Sequence, residues 1–157
     1  MFLATSVSAM VEKALGAIAL LLAENRQISE LFAKIGRLEV SSADTEVLVG
    51  DVCRALTIQA QLLQEIAYPA LRAAGVQSSI LDQAEADQTA IRQLIEDLHD
   101  VPHTDVFFDA RVKALAHRVQ RRFRSDETEL FPNAQWAPVD LVEIGRRLAA
   151  RRAELTV

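Results

Sequence analysis

The amino-acid sequence predicts an all-α fold: an up-down-up-down antiparallel four-helix bundle with an additional short C-terminal helix. Apolar residues recur every three or four positions along most of the 157 residues, and no stretch alternates polar and apolar residues as a strand does. The 5 Gly and 4 Pro fall between the periodic stretches, and short connections between long helices favour antiparallel neighbours. We therefore expect one domain over residues 1–157, with the bundle core at about 8–132 and the last helix at about 139–155.

The first helix is predicted from roughly Ser8 to Leu38. One face is apolar apart from a single amide and contains Leu15, Ile18, Leu22, Asn25, Ile28, Phe32 and Ile35. The apolar run Ala14–Ala23 is too short to span a bilayer, which takes about 20 residues. Glu12 and Lys13 precede this run, so it lacks the net positive start of a signal peptide. We therefore expect no membrane partner.

The polar break Ser41–Asp44 offers N-cap residues for a second helix, which we expect to end with Gly75 just beyond its C-cap. Pro69 is expected to kink the last turn of this helix. Ser78 or Ser79 begins the third helix. The buried faces are predicted to contain Leu48, Val52, Leu56, Gln59, Leu63 and Ile66 in the second helix, and Leu81, Ala84, Gln88, Ile91, Ile95 and Leu98 in the third.

The polar loop 99–105 (HDVPHTD) is expected to cap a fourth helix. The face of that helix predicted to be buried contains Phe108, Val112, Leu115, Val119, Arg122, Asp126 and Leu130. Pro132 and Pro138 are predicted to bracket a turn that contains Trp136. A short fifth helix follows, from about Val139 to Leu155.

Composition narrows the classes of function. The formal net charge of −5 disfavours a nucleic-acid partner, because phosphate backbones bind basic surfaces. The chain has one cysteine, Cys53, so it can form neither an internal disulfide nor a cysteine cluster for zinc, and we expect a cytoplasmic protein. Cys53 is expected to be a small core residue. The arginine clusters at 121–124 and 146–152 are expected to form solvated helix faces.

Polar residues interrupt the apolar face of every bundle helix. They are Asn25, Gln59, Gln88, and Arg122 together with Asp126. An unpartnered buried amide costs roughly 1–3 kcal/mol, so one interruption per helix suggests that these side chains meet at one level of the core. Bundle cores hold metal sites built from inward-facing side chains. Amide oxygens are weak ligands for iron, however, and a guanidinium cannot bind a cation.

Four segments resemble the hemerythrin (HHE) family. Residues 21–32 (LLAENRQISELF) resemble the start of the domain, with Asn25 where the family has a His. Residues 59–71 (QAQLLQEIAYPAL) are similar to its His-x-x-x-Glu segment, with Gln59 in place of the His and Leu63 in place of the Glu. Asp87–Gln88 followed by Arg92 resembles its Glu-His-x-x-x-Lys element.

The fourth segment, residues 121–132 (RRFRSDETELFP), resembles the family pattern His-His-x-x-x-Glu-Glu-x-Glu-x-Phe-Pro. Arg122 replaces the ligand His, whereas Asp126 and Glu127 keep carboxylates near the ligand position. The resemblance covers about Ala14 to the C-terminus and implies a four-helix bundle that binds a non-haem di-iron pair. None of the four matched positions keeps its His, so we do not expect the di-iron site to be retained. The residues of this degenerate former metal site are Asn25, Gln59, Leu63, Gln88, Arg122 and Asp126.

We predict that Arg122 replaces the metal electrostatically. Arg122 and Asp126 are four residues apart on one helix, so they can form an ion pair. The amide oxygens of Asn25, Gln59 and Gln88 are expected to accept the remaining guanidinium protons. The alternative is that Arg122 extends to the end of the bundle while the amides face ordered water.

Two functions remain open. The first is a non-enzymatic regulatory or interaction module with no cofactor, whose partner is a protein or a small molecule and which is compatible with a homo-oligomer. The second is a metal- or gas-binding protein that holds non-haem iron in a rebuilt site of carboxylates such as Glu65, Asp126 and Glu127. The lost imidazoles favour the first. No arrangement of catalytic residues suggests an enzyme.

The remaining candidates have plain structural explanations. His99 and His103 lie beside Asp97, Asp100 and Asp105, which leaves room for a surface metal site, although solvated loop histidines are expected. His117 lies off the apolar face and is expected to be exposed. Tyr68 and Trp136 are expected to be packing residues.

Overall fold

The computed structural model describes residues 16–39 and 42–157, and every regular element within these ranges is helical. In chain order they are α1 (Ala17–Arg37), α2 (Ala43–Leu62), the π-helical segment π1 (Leu63–Ala67), α3 (Tyr68–Ala73), α4 (Ser78–His99), α5 (Phe108–Ser125), π2 (Asp126–Leu130), α6 (Phe131–Trp136) and α7 (Leu141–Leu155). The segments α2-π1-α3 and α5-π2-α6 are each continuous, so four long helices and α7 form the predicted bundle. The part of the first helix predicted before Gly16 lies outside the described residues.

Two helices begin with a side-chain N-cap. The Ser42 hydroxyl accepts a hydrogen bond from the Thr45 amide (3.1 Å) and caps α2. The Asp140 carboxylate does the same for α7, accepting from the Glu143 amide at 3.0 Å, so this helix begins two residues later than predicted. In the described part of the chain, no helix is both long and apolar enough to cross a membrane.

Gly75 ends α3 as predicted. It has a φ of 87°, which glycine adopts without strain. The Val76 amide donates to the Leu71 carbonyl and the Gly75 amide donates to the Arg72 carbonyl, both at 3.1 Å. This pair of bonds is a Schellman motif, and the buried Val76 and Leu71 side chains close the helix end on the apolar side.

The two prolines inside long helices are accommodated differently from what the sequence predicts. Pro69 and Pro132 each lie in the first turn after a π-helical segment, where the Tyr68 amide donates to the Leu63 carbonyl and the Phe131 amide to the Asp126 carbonyl. The wider π-helical turn lets the helix continue although proline has no N–H to donate. The prediction of a turn bracketed by Pro132 and Pro138 is therefore wrong, since the helix continues to Trp136.

The core consists of two hydrophobic clusters at the two ends of the bundle. The first contains Leu21, Leu62, Tyr68, Leu81, Leu130 and Leu148 among others. The second contains Ile28, Val52, Leu56, Ile91, Leu115 and Val119 among others. The C-terminal helix α7 packs across α1, α2 and π1 and supplies Ile144 and Leu148 to the first cluster. Between the clusters lies a layer of buried polar side chains.

Two aromatic residues differ in their roles. Tyr68 is 2% exposed and packs in the first cluster, as predicted. Trp136 is 90% exposed at the end of α6, so the prediction that it is a packing residue is wrong. Cys53 is half-buried and packs against the second cluster.

Candidate functional site

All six residues that the sequence singles out lie in or beside the polar layer, and the apolar one, Leu63, belongs to the first cluster. Each is at most 8% exposed, and they are Asn25, Gln59, Leu63, Gln88, Arg122 and Asp126. Glu24 and Asp87 are buried with them. Because α1, α2-π1, α4 and α5-π2 each contribute to this level, the polar interruptions of the four apolar faces do converge.

Arg122 lies at the centre of the layer and is 2% exposed. Its Nε donates to Asp126 Oδ1 at 2.9 Å and its Nη1 donates to Asp87 Oδ2 at 2.8 Å. The ion pair with Asp126 is the one predicted from their spacing of four residues on one helix. The alternative, in which Arg122 extends to the bundle end, is wrong.

Asp87 is the partner that the sequence analysis missed. Its carboxylate is also 3.4 Å from Arg118 Nη2 and accepts a hydrogen bond from Gln83 Nε2 at 3.2 Å. A signal was available, since Asp87 follows Ala84 by three residues and precedes Ile91 by four, which places it on the buried face of α4.

The amides bind one another rather than the guanidinium. Gln59 Nε2 donates to Asn25 Oδ1 at 2.8 Å, which joins α2 to α1. Within the described residues, Asn25 Nδ2 and the Tyr68 hydroxyl have no hydrogen-bond partner in good geometry. The Asn25 side chain is nevertheless close enough to Asp126 to lower its pKa, and the Gln88 side chain has the same effect on the pKa of Tyr68. The prediction that amide oxygens accept the protons of Arg122 is therefore wrong; two carboxylates accept them instead.

The charged groups of the layer differ in how deeply they are buried. One guanidinium faces the carboxylates of Asp87 and Asp126, and Asp126 is the more deeply buried of the two. Burial raises the pKa of Asp126 to about 6, although Arg122 lowers it and Asp87 raises it further. Burial also raises the pKa of the Tyr68 hydroxyl, which disfavours a role for it as an acid or base.

The residues of the layer do not fit a metal ion. A guanidinium cannot coordinate a cation, Leu63 has no donor atom, and Asp126 is engaged by Arg122. Across residues 16–39 and 42–157, no three His, Cys, Asp or Glu side chains are grouped closely enough to hold a metal. His103 Nδ1 contacts the Glu46 carboxylate, and His117 is exposed as predicted.

The carboxylates of the alternative, rebuilt site lie apart. Asp126 is in the core, whereas Glu65 and Glu127 are exposed. Glu65 accepts hydrogen bonds from Arg151 Nε at 3.0 Å and from Gln61 Nε2 at 2.8 Å, and these bonds lower its pKa. The structure therefore does not bring Glu65, Asp126 and Glu127 together.

Comparison with known proteins agrees with this architecture. Residues 16–134 match the model of the hemerythrin HHE cation binding domain. The fold is similar to the crystal structure of a hemerythrin HHE cation binding domain-containing protein from Mycobacterium kansasii, with a TM-score of 0.77 and 20% sequence identity over 89% of this chain and 86% of that one. No curated protein matches the chain. Because the matched segment spans most of the bundle, the chain belongs to the hemerythrin HHE cation-binding domain family.

Proposed function

We propose that this protein is a hemerythrin-like domain that has lost di-iron and oxygen binding and acts as a non-enzymatic regulatory or interaction module. One observation carries the proposal: the Arg122 guanidinium is buried between Asp87 and Asp126, at a position where the family resemblance places a metal-ligating His. A permanent cation takes up the carboxylates that a metal ion would need.

The electrostatics of the layer support this reading. A metal ion placed beside Asp126 would lie next to the buried positive charge of Arg122, which cannot lose its proton at physiological pH. Removing the guanidinium from its carboxylates would leave a buried, unpaired charge, at a cost of about 3–5 kcal/mol. Iron binding would therefore require Arg122 to leave the core.

The alternative of a metal- or gas-binding protein with a rebuilt site has less support. Its carboxylates would have to come from Glu65, Asp126 and Glu127, and two of these are on the surface. The non-enzymatic reading rests on the engagement of the polar groups with one another, since the carboxylates of Asp87 and Asp126 are occupied by arginines. We further propose a cytoplasmic protein with a protein or small-molecule partner and no nucleic-acid or membrane partner.

Metal analysis tests the proposal directly. The protein is produced with added iron, purified without chelator, and examined for iron content and visible absorption. We expect far less than one iron per chain and no oxo-bridge absorption band. A family member that keeps its histidines, produced in the same way, is the positive control. Two irons per chain with an oxo-bridge band would refute the proposal.

A further inference from the structure

A buried carboxylate next to the polar layer is only partly paired: Arg152 forms an ion pair with it, and the Gln59 side chain is close enough to lower its pKa. Glu24 of α1 is 6% exposed, and neither of its carboxylate oxygens accepts a hydrogen bond in good geometry from the described residues. The nearest cation is Arg152 of α7, whose Nη1 lies 3.3 Å from Glu24 Oε1. A buried charge without hydrogen bonds is costly, so this carboxylate needs a donor.

Glu24 lines a cavity of about 240 Å³ between α1, α2 and the C-terminal end of α7. The polar side chains of Gln59 and Arg152 also line this cavity, and Ile28, Leu31 and Ile58 form its apolar walls. Gln59 uses its Nε2 to donate to Asn25, which leaves its side-chain oxygen able to accept. The cavity is smaller than the roughly 300 Å³ at which drug-sized pockets begin, so it suits a compact molecule.

We propose that this cavity binds a small aliphatic amine, whose ammonium group donates to the Glu24 carboxylate and to the Gln59 oxygen while its hydrocarbon part packs against Ile28, Leu31 and Ile58. An ammonium has three donors and no acceptor, so it can donate to both the Glu24 carboxylate and the Gln59 oxygen, neither of which accepts a hydrogen bond in good geometry from the described residues. Two sources share this chemistry: a simple amine and an α-amino acid. Arg152, whose side chain is 42% exposed, can receive the carboxylate of the amino acid.

This inference goes beyond the proposed loss of iron and does not depend on it. The ligand would lie on the side of Gln59 that faces α7, whereas Arg122 and its two aspartates bridge α4 to the α5-π2 helix. Failure of either proposal leaves the other standing, because metal content and amine binding are measured separately.

Calorimetric titration of the full chain with three matched compounds tests the proposal. Leucine has both an amino group and a carboxylate. The compound 3-methylbutylamine is leucine without the carboxylate, and 4-methylpentanoate is leucine without the amino group. The titration is done near pH 8, because burial raises the pKa of Glu24 and a higher pH favours its ionised form. We expect saturable binding of the amine, of leucine, or of both, and none of 4-methylpentanoate. Tighter binding of leucine than of the amine would identify an amino acid as the ligand.

Two variants locate the binding. Glu24→Gln keeps the shape of the side chain and is expected to weaken binding by about tenfold or more, the loss of one charge-assisted hydrogen bond. Glu30→Gln changes an exposed glutamate on the same helix and should leave binding unchanged. Ala55→Leu narrows the cavity without changing charge and should also weaken binding. Circular dichroism confirms that each variant is folded.

The proposal is overturned if neither amine nor leucine binds, if 4-methylpentanoate binds as tightly as they do, or if Glu24→Gln binds as tightly as the unchanged chain.

Discussion

Arg122 carries a permanent positive charge inside an apolar bundle, and its partners come from two different helices. Asp126 is on the same continuous helix and Asp87 is on α4. The guanidinium offers donors in a fixed planar arrangement, which allows Nε and Nη1 to reach two separate carboxylates. Two aspartates share one fully buried arginine, and burial raises the pKa of Asp126 despite the adjacent guanidinium.

Removing the Arg122 guanidinium leaves the buried Asp126 carboxylate without its arginine and leaves Asp87 with only Arg118 and Gln83. We expect Arg122→Met to lower the free energy of unfolding by about 3–5 kcal/mol, measured by urea denaturation followed by circular dichroism. Arg121→Met, which changes an exposed neighbour, should cost little. The triple variant Asp87→Asn, Arg122→Met, Asp126→Asn should recover part of the loss. Equal stability of the Arg122→Met and Arg121→Met variants would contradict the role of this ion pair.

The raised pKa of Asp126 predicts a pH dependence. Its value of about 6 in the folded state exceeds the ordinary 3.8, so the folded protein holds a proton that the unfolded chain releases. Stability therefore falls as the pH rises from about 4 to about 7. The gap in unfolding free energy between Asp126→Asn and the unchanged chain should shift in favour of the variant by up to about 3 kcal/mol over this range. A gap that does not change with pH would show that the pKa of Asp126 is not raised.

At the residue scale, the sequence predicts contacts within a helix better than contacts between helices. The pair Arg122–Asp126 follows from a spacing of four residues. Asp87 was not predicted as a partner, because the rotation of α4 relative to α5 depends on packing that spacing alone does not determine. The same is true of the bond between Gln59 and Asn25, which joins two helices.

The helices divide into two antiparallel pairs, each with its own polar bonds. Gln59 and Asn25 join α2 to α1, whereas Arg122, Asp126 and Asp87 join the α5-π2 helix to α4. In a di-iron relative, a metal centre would tie the helices together through its ligands. Here the hydrogen bonds of good geometry stay within each pair. Between the pairs, the Asn25 side chain approaches Asp126 and the Gln88 side chain approaches the Tyr68 hydroxyl, and the apolar clusters pack above and below.

Two glycines differ in backbone conformation but not in the space around them, so substituting each one shows the effect of the backbone alone. A Cβ added at Gly75 or at Gly36 would meet no atom within 4 Å, but only Gly75 has a positive φ. We expect Gly75→Ala to destabilise the protein by about 1 kcal/mol, because alanine is strained in that conformation. Gly36→Ala should instead stabilise α1 by roughly 0.5–1 kcal/mol. Thermal unfolding of both variants checks this, and shifts of the same sign would contradict it.

Helix existence and most helix ends were predictable from the sequence, as Ser42, Gly75 and Ser78 show. The continuation past Pro132 was not, because a proline normally ends or kinks a helix. A π-helical turn before each proline removes the conflict.

The whole molecule is held by two apolar clusters with a polar layer between them, and this arrangement makes a prediction about metals. If Arg122 supplies the positive charge of the layer, a strong chelator has nothing to remove. We expect the melting temperature to be unchanged after incubation with excess chelator and dialysis. A drop of several degrees would mean that a bound metal contributes to stability.

At this scale the four-helix architecture was predictable, because the apolar faces leave few other arrangements for helices joined by short loops. The packing of α7 across α1, α2 and π1 was not, although it places Arg152 against Glu24. The apolar face of α7 consists of few residues, such as Ile144 and Leu148. Their pattern in the sequence does not predict which helices α7 packs against.

The exposed position of Trp136 has an optical consequence. It is the single tryptophan of the chain, and at 90% exposure its indole is already in water in the folded state. The wavelength of its emission should therefore change little when the bundle unfolds, so fluorescence would miss a transition that circular dichroism detects. A partner that covers the end of α6 would shift the emission to shorter wavelength, which makes this one side chain a built-in reporter of docking at that end of the bundle.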